Sequence, residues 1–75
     1  MKPISWSNTG SVPAIGSQVN IRTNNIGLSI VIGYLVAEGE SSDYIALKIK
    51  PINPPEWYIN QNGKDYCCVV FGQEL

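Results

Sequence analysis

The run Leu28-Ser29-Ile30-Val31-Ile32-Gly33-Tyr34-Leu35-Val36-Ala37 constrains this chain more than any other feature. It is long, rich in β-branched residues and apolar on both sides, which favours a strand over a helix of equal length. As an unbroken strand it places Leu28, Ile30, Ile32, Tyr34 and Val36 on one face, and Val31, Leu35 and Ala37 on the other around Gly33. An antiparallel strand with one face in water should alternate more cleanly than this. Both faces therefore need cover, and a chain of 75 residues has little material to supply it. Domains of this size bury only about 60% of the surface that their unfolded chains expose. Val31 and Leu35 are accordingly candidates for a subunit contact. The alternative is that the segment before the first main strand folds over them.

Small domains usually add a disulfide, a structural metal or oligomerisation to a thin core. The chain has two cysteines and no histidine. Cys67 and Cys68 are neighbours in a β-like run, where successive side chains point to opposite faces, so they read as free thiols behaving as small hydrophobes. Two vicinal sulfurs without histidine fall short of the four ligands of a zinc site, and no metal or other cofactor is expected. Oligomerisation is left, and a homo-oligomer is the expected state. The opening Met1-Lys2-Pro3-Ile4-Ser5-Trp6 lacks the apolar stretch of a signal peptide, and no segment approaches the ~20 apolar residues of a membrane span. With unpaired cysteines, this points to a reducing cytoplasm and no membrane partner. The formal net charge of -1 disfavours a dedicated nucleic-acid binder, whose affinity comes largely from cationic contacts to phosphate.

Along the chain, residues 1–16 read as an irregular arm with Gly10 and Pro13, anchored to the core by Trp6. Val19-Asn20-Ile21-Arg22-Thr23 alternates as a half-buried strand with Val19 and Ile21 inward. Thr23 to Gly27, with Asn24 and Asn25, suits a hairpin loop. After the long strand comes the acidic loop Glu38 to Asp43, and Tyr44 to Lys50 returns as a strand. Ile45, Leu47 and Ile49 share one of its faces, and Tyr44, Ala46, Lys48 and Lys50 the other. Asn53 to Gly63 carries the signals of a short helix, with Asn53 as cap, Pro54 at the first position, Glu56 completing a capping box and Gly63 as terminator. A strand through Trp57 and Ile59 competes with that helix. Tyr66 to Phe71 closes as a last strand. The sum is one mainly β domain spanning residues 1–75. The expected fold is a small SH3-like barrel of four to five antiparallel strands, with one short helix or helical turn before the last. An OB-like barrel is the alternative, although it normally needs a longer chain.

No catalytic constellation emerges. Without histidine there is no Ser-His or Cys-His pair, and Glu38, Glu40 and Asp43 share one loop instead of facing across a cleft. Neither Gly27 nor Gly33 follows phosphate-loop spacing. The chain is therefore expected not to be an enzyme. What remains is a binding set. Arg22 and Lys48 are candidates to neutralise phosphate, and Tyr44 or Tyr58 to stack on a base. Trp57 and Tyr58 cannot both face the same way, and Tyr58 is taken as the exposed one, with Trp57 as core. Asn24 and Asn25 are taken as turn formers.

The segments Pro13 to Ile21, Gly33-Tyr34, Pro55-Glu56-Trp57, Gln61-Asn62-Gly63 and Val70 to Leu75 resemble those of short accessory proteins encoded by tailed bacteriophages. The loop Glu38 to Asp43 departs from that pattern, which has an aromatic-glycine pair there. The resemblance implies an infected bacterial cytoplasm, where such proteins counter host defence. The expectation is a non-enzymatic homo-oligomer that sequesters a small nucleotide-like signal molecule between subunits. The alternatives are an inhibitor that docks on a host defence protein and, least favoured by charge, an SH3-like nucleic-acid-binding module.

Overall fold

The computed structural model describes residues 2–75; Met1, the first residue of the expected arm, lies outside them. Its strands are β1 (Ile4–Ser5), β2 (Gln18–Ile21), β3 (Gly27–Ala37), β4 (Asp43–Pro51) and β5 (Cys68–Phe71), with one helix, α1 (Glu56–Asn62), before the last strand. They form a single curled sheet, a half-barrel, in the order β1-β4-β3-β2 with β5 also on β4. β3 runs along one edge of β4, while β1 and β5 share the other edge end to end. The fold is mainly β, as expected, but β2 stops at Ile21, short of the expected Thr23, and β5 begins at Cys68 instead of Tyr66. The arm is not wholly irregular, because Ile4 and Ser5 pair with Asp43 and Tyr44, and that pairing is parallel. The ion pair of Lys2 with Asp43 (3.3 Å) and the Lys2 ammonium bond to the Gly39 carbonyl (2.7 Å) hold the arm at this edge.

The hairpin between β2 and β3 forms where the sequence tolerates positive φ, at Asn24 (51°), Asn25 (59°) and Gly27 (80°). Ile26 plugs that loop into the core. Two steps along β3, from Val31 to Gly33, then match one step along β4, from Ile49 to Lys48. Ile32 is thus the extra residue of a β-bulge, and the bulge swaps the faces of everything beyond it. Before it, the odd positions Ser29 and Val31 point inward. After it, the even positions Tyr34 and Val36 share the face of Leu47 and Ile45, and Leu35 turns outward opposite Ala46. Val31 is fully buried against Ile49, while Leu35 is 46% exposed. The expected pairing of Val31 with Leu35 in one subunit contact is therefore corrected. Val31 belongs to the core, and Leu35 alone faces outward.

The core consists of Ile21, Ile26, Val31, Leu47, Ile49, Tyr58 and Val70, edged by Trp6, Val12, Val19, Cys68 and Leu75. Helix α1 begins later than its cap signals suggest. Asn53 and Pro54 each precede a proline, which disfavours helical ψ at both and keeps them out of the helix; Pro55 then takes the extended N-cap conformation (ψ 158°) and Glu56 is the first helical residue. Gly63 (φ 86°) ends the helix, its N–H donating to the Ile59 carbonyl at 2.8 Å. The helix buries Tyr58, whose hydroxyl donates to the Tyr66 carbonyl (2.7 Å).

The open side of the half-barrel is drawn together by the turn after β5. The Arg22 N–H and guanidinium donate to the Glu74 and Gln73 carbonyls (2.8 and 3.1 Å). The Glu74 carboxylate accepts from the Thr23 hydroxyl (2.9 Å) and the Phe71 N–H (2.6 Å). Over this turn the arm passes so closely that a Cβ on Gly72 would lie 3.0 Å from the Asn8 nitrogen.

Candidate functional site

Register puts Tyr44, Ala46, Lys48 and Lys50 of β4 on the outer, convex face, beside Leu35 and Ala37 of β3 and Val69 and Phe71 of β5. Ala46 is buried there beneath its larger neighbours. Beside it lies a hollow of about 270 Å³ lined by Ser7, Tyr44, Phe71 and Gln73. Ile32, Leu35, Tyr44 and Val69 are all exposed at 37–46%. This is a half-apolar surface with cations set in it. Lys50 is engaged by Asp65 at 3.5 Å, whereas among the described residues no carboxylate pairs with Lys48.

The four expected ligand contacts fare differently. Tyr44 and Lys48 do share one exposed strip, four residues apart on β4 and so roughly 13 Å along the strand. Arg22 is exposed but reaches that neighbourhood only through Gln73, whose carbonyl it holds. Tyr58 is not a contact at all: it is 1% exposed in the core, and the exposed ring is Trp57. The physical reason is helical phase, because α1 turns Tyr58 into the core, with its hydroxyl on the Tyr66 carbonyl, and leaves its neighbour outward. Burial, with the Cys68 thiol alongside, pushes the Tyr58 phenol well above its ordinary pKa. Burial likewise raises the Cys68 thiol, so it stays protonated and is a poor nucleophile.

A second hollow, of about 450 Å³, lies between the β2–β3 loop and α1 and is lined by Asn24, Asn25, Trp57 and Gln61. Sequence reasoning favoured a turn-forming role for Asn24 and Asn25 and a core role for Trp57, and gave Gln61 no role of its own. The signal that could have marked them is the i, i+4 spacing of Trp57 and Gln61, which puts both on one helix face. Among the described residues, Asp43 meets Lys2, Asp65 meets Lys50, Glu74 is held in the turn after β5, Glu38 and Glu40 are exposed in a loop, and Glu56 is exposed at the start of α1. Among the described residues no group of three or more Cys, Asp or Glu side chains is placed to hold a metal ion, and no helix is long and apolar enough to cross a membrane.

Comparison of the chain with models of protein families, with curated proteins and with solved structures returns no match.

Proposed function

We propose that this is a non-enzymatic binding protein whose working surface is the outer sheet face around Tyr44, Lys48 and Leu35. It takes a small, anionic, ring-bearing ligand of nucleotide type at the seam between two copies. The observation that carries this reading is the combination, on one strip, of an exposed ring and an ammonium that no carboxylate pairs among the described residues, with a hollow of about 270 Å³ beside the ring. That volume falls short of the roughly 300 Å³ at which ligand pockets begin. One copy cannot enclose such a ligand, and a second copy laid over Leu35 supplies the missing wall. Lys48 neutralises phosphate, Arg22 braces the hollow by holding the Gln73 carbonyl, and Tyr44 stacks on the ring. The resemblance to phage accessory proteins supports a role in the infected cytoplasm, where withholding a nucleotide signal would blunt host defence.

Native mass spectrometry of protein purified from bacteria, compared with the denatured mass, tests this. The expected result is an oligomer with a few hundred daltons of extra mass per site, lost in Lys48→Ala. A bare monomer overturns it. In that case the exposed Ile32, Leu35 and Val69 favour the second reading, docking on a host protein, for which Leu35→Asp should abolish capture of the target.

A further inference from the structure

The hollow between the β2–β3 loop and α1 differs chemically from the outer face. None of its lining residues carries a charge: they are one indole and three primary amides, Asn24, Asn25 and Gln61. The ring is held in place before any ligand arrives. Its N–H donates to the Asn24 carbonyl (3.2 Å), and it meets the buried Tyr58 ring edge-on, with centroids 5.6 Å apart and planes at 70°. Trp57 nevertheless stays 37% exposed. Asn24, Asn25 and Gln61 are exposed too, and each amide offers donors and an acceptor. The left-handed conformation of both asparagines fixes where their amides start.

We propose that this hollow is a second binding site, for an uncharged saccharide ring. The face of a pyranose presents C–H bonds of slight positive charge, which suit the negative face of an indole. Its hydroxyls radiate around the ring, each able to donate and accept, and amides on several sides match that pattern better than they match the in-plane edge of a base. A phosphate-bearing ligand finds no cation among the lining residues. The volume of about 450 Å³ lies within the range of small-ligand pockets.

The test is a titration of the ¹⁵N-labelled protein with methyl α-D-glucopyranoside, methyl α-D-mannopyranoside, methyl β-D-galactopyranoside and N-acetylglucosamine, with adenosine and uridine alongside. The expected result is a saturable shift of the Trp57 indole N–H and the Asn24, Asn25 and Gln61 amide signals with at least one saccharide, while the Trp6 indole stays put. Gln61→Ala, on the exposed face of α1, should keep the spectrum of the fold and weaken that saccharide by about 2- to 10-fold, the worth of one hydrogen bond. Trp57→Ala should abolish binding. No saturable shift with any saccharide, shifts with the nucleosides alone, or unchanged affinity in both variants would overturn the proposal. Shifts at Tyr44 and Lys48 report on the outer face, so the two sites fail separately.

Discussion

At the scale of the residue, the same chemistry four positions apart meets opposite fates. Val31 fills the core and Leu35 faces out, so Val31→Ala should cost about 2 kcal/mol and Leu35→Ala under about 0.5 kcal/mol, measured as urea midpoints. Tyr58 gives a pH dependence whose sign is fixed. Its folded pKa lies above the unfolded one, as does that of Cys68, so the folded state holds these protons more tightly. The contribution of these two groups is therefore level below about pH 8.5 and falls as pH rises past the unfolded values of about 8.5 for Cys and about 10 for Tyr toward the higher folded ones. Tyr58→Phe should flatten the upper part of that fall, and it should lower neutral-pH stability by about 1 kcal/mol through the lost bond to the Tyr66 carbonyl. Which of Trp57 and Tyr58 turned outward was not legible in the sequence. Both are large amphipathic rings, and only the start of α1, set by Pro54 and Pro55, fixes the helical phase that decides between them.

At the scale of the element, the strands and the helix were legible and the phase within β3 was not. Alternation marks β2 and β4 plainly, because each has one core face of Val19 and Ile21, or of Ile45, Leu47 and Ile49. In β3 apolar residues lie on both faces before and after the bulge, so the pattern hides the switch of phase, and its sole local sign is Gly33 in a strand interior. This has a sharp consequence. Deleting Ile32, the extra residue, leaves every other β3 side chain on its present face, so that variant should still fold cooperatively. Deleting Ile30 moves residues across the sheet and should give no cooperative transition in circular dichroism. The turn after β5 makes a separate prediction. Glu74→Ala removes the acceptor for Thr23 and Phe71, should cost about 2 kcal/mol, and should speed hydrogen exchange at the Phe71 and Arg22 amides above all others.

At the scale of the whole molecule, the chain buries one small core and leaves other apolar residues exposed, Ile32, Leu35 and Val69 on the outer face among them. Leu35→Asp should therefore leave thermal stability of the isolated chain nearly unchanged while reducing any assembled state to monomer, read by sedimentation at matched concentrations. The candidate surfaces were half visible in advance, since Tyr44 and Lys48 lie on one strand with regular alternation. The hollow around Trp57 joins residues more than thirty positions apart and depends on how α1 docks on the β2–β3 loop, which no local pattern encodes. The seam between Arg22 and Glu74 also has a temporal side. During synthesis β2 is made well before residues 71–75, so the bonds of Arg22 and Thr23 to this turn, which close the seam, wait until it has emerged. A nascent chain halted after α1 is thus the form most exposed to chaperones and proteases.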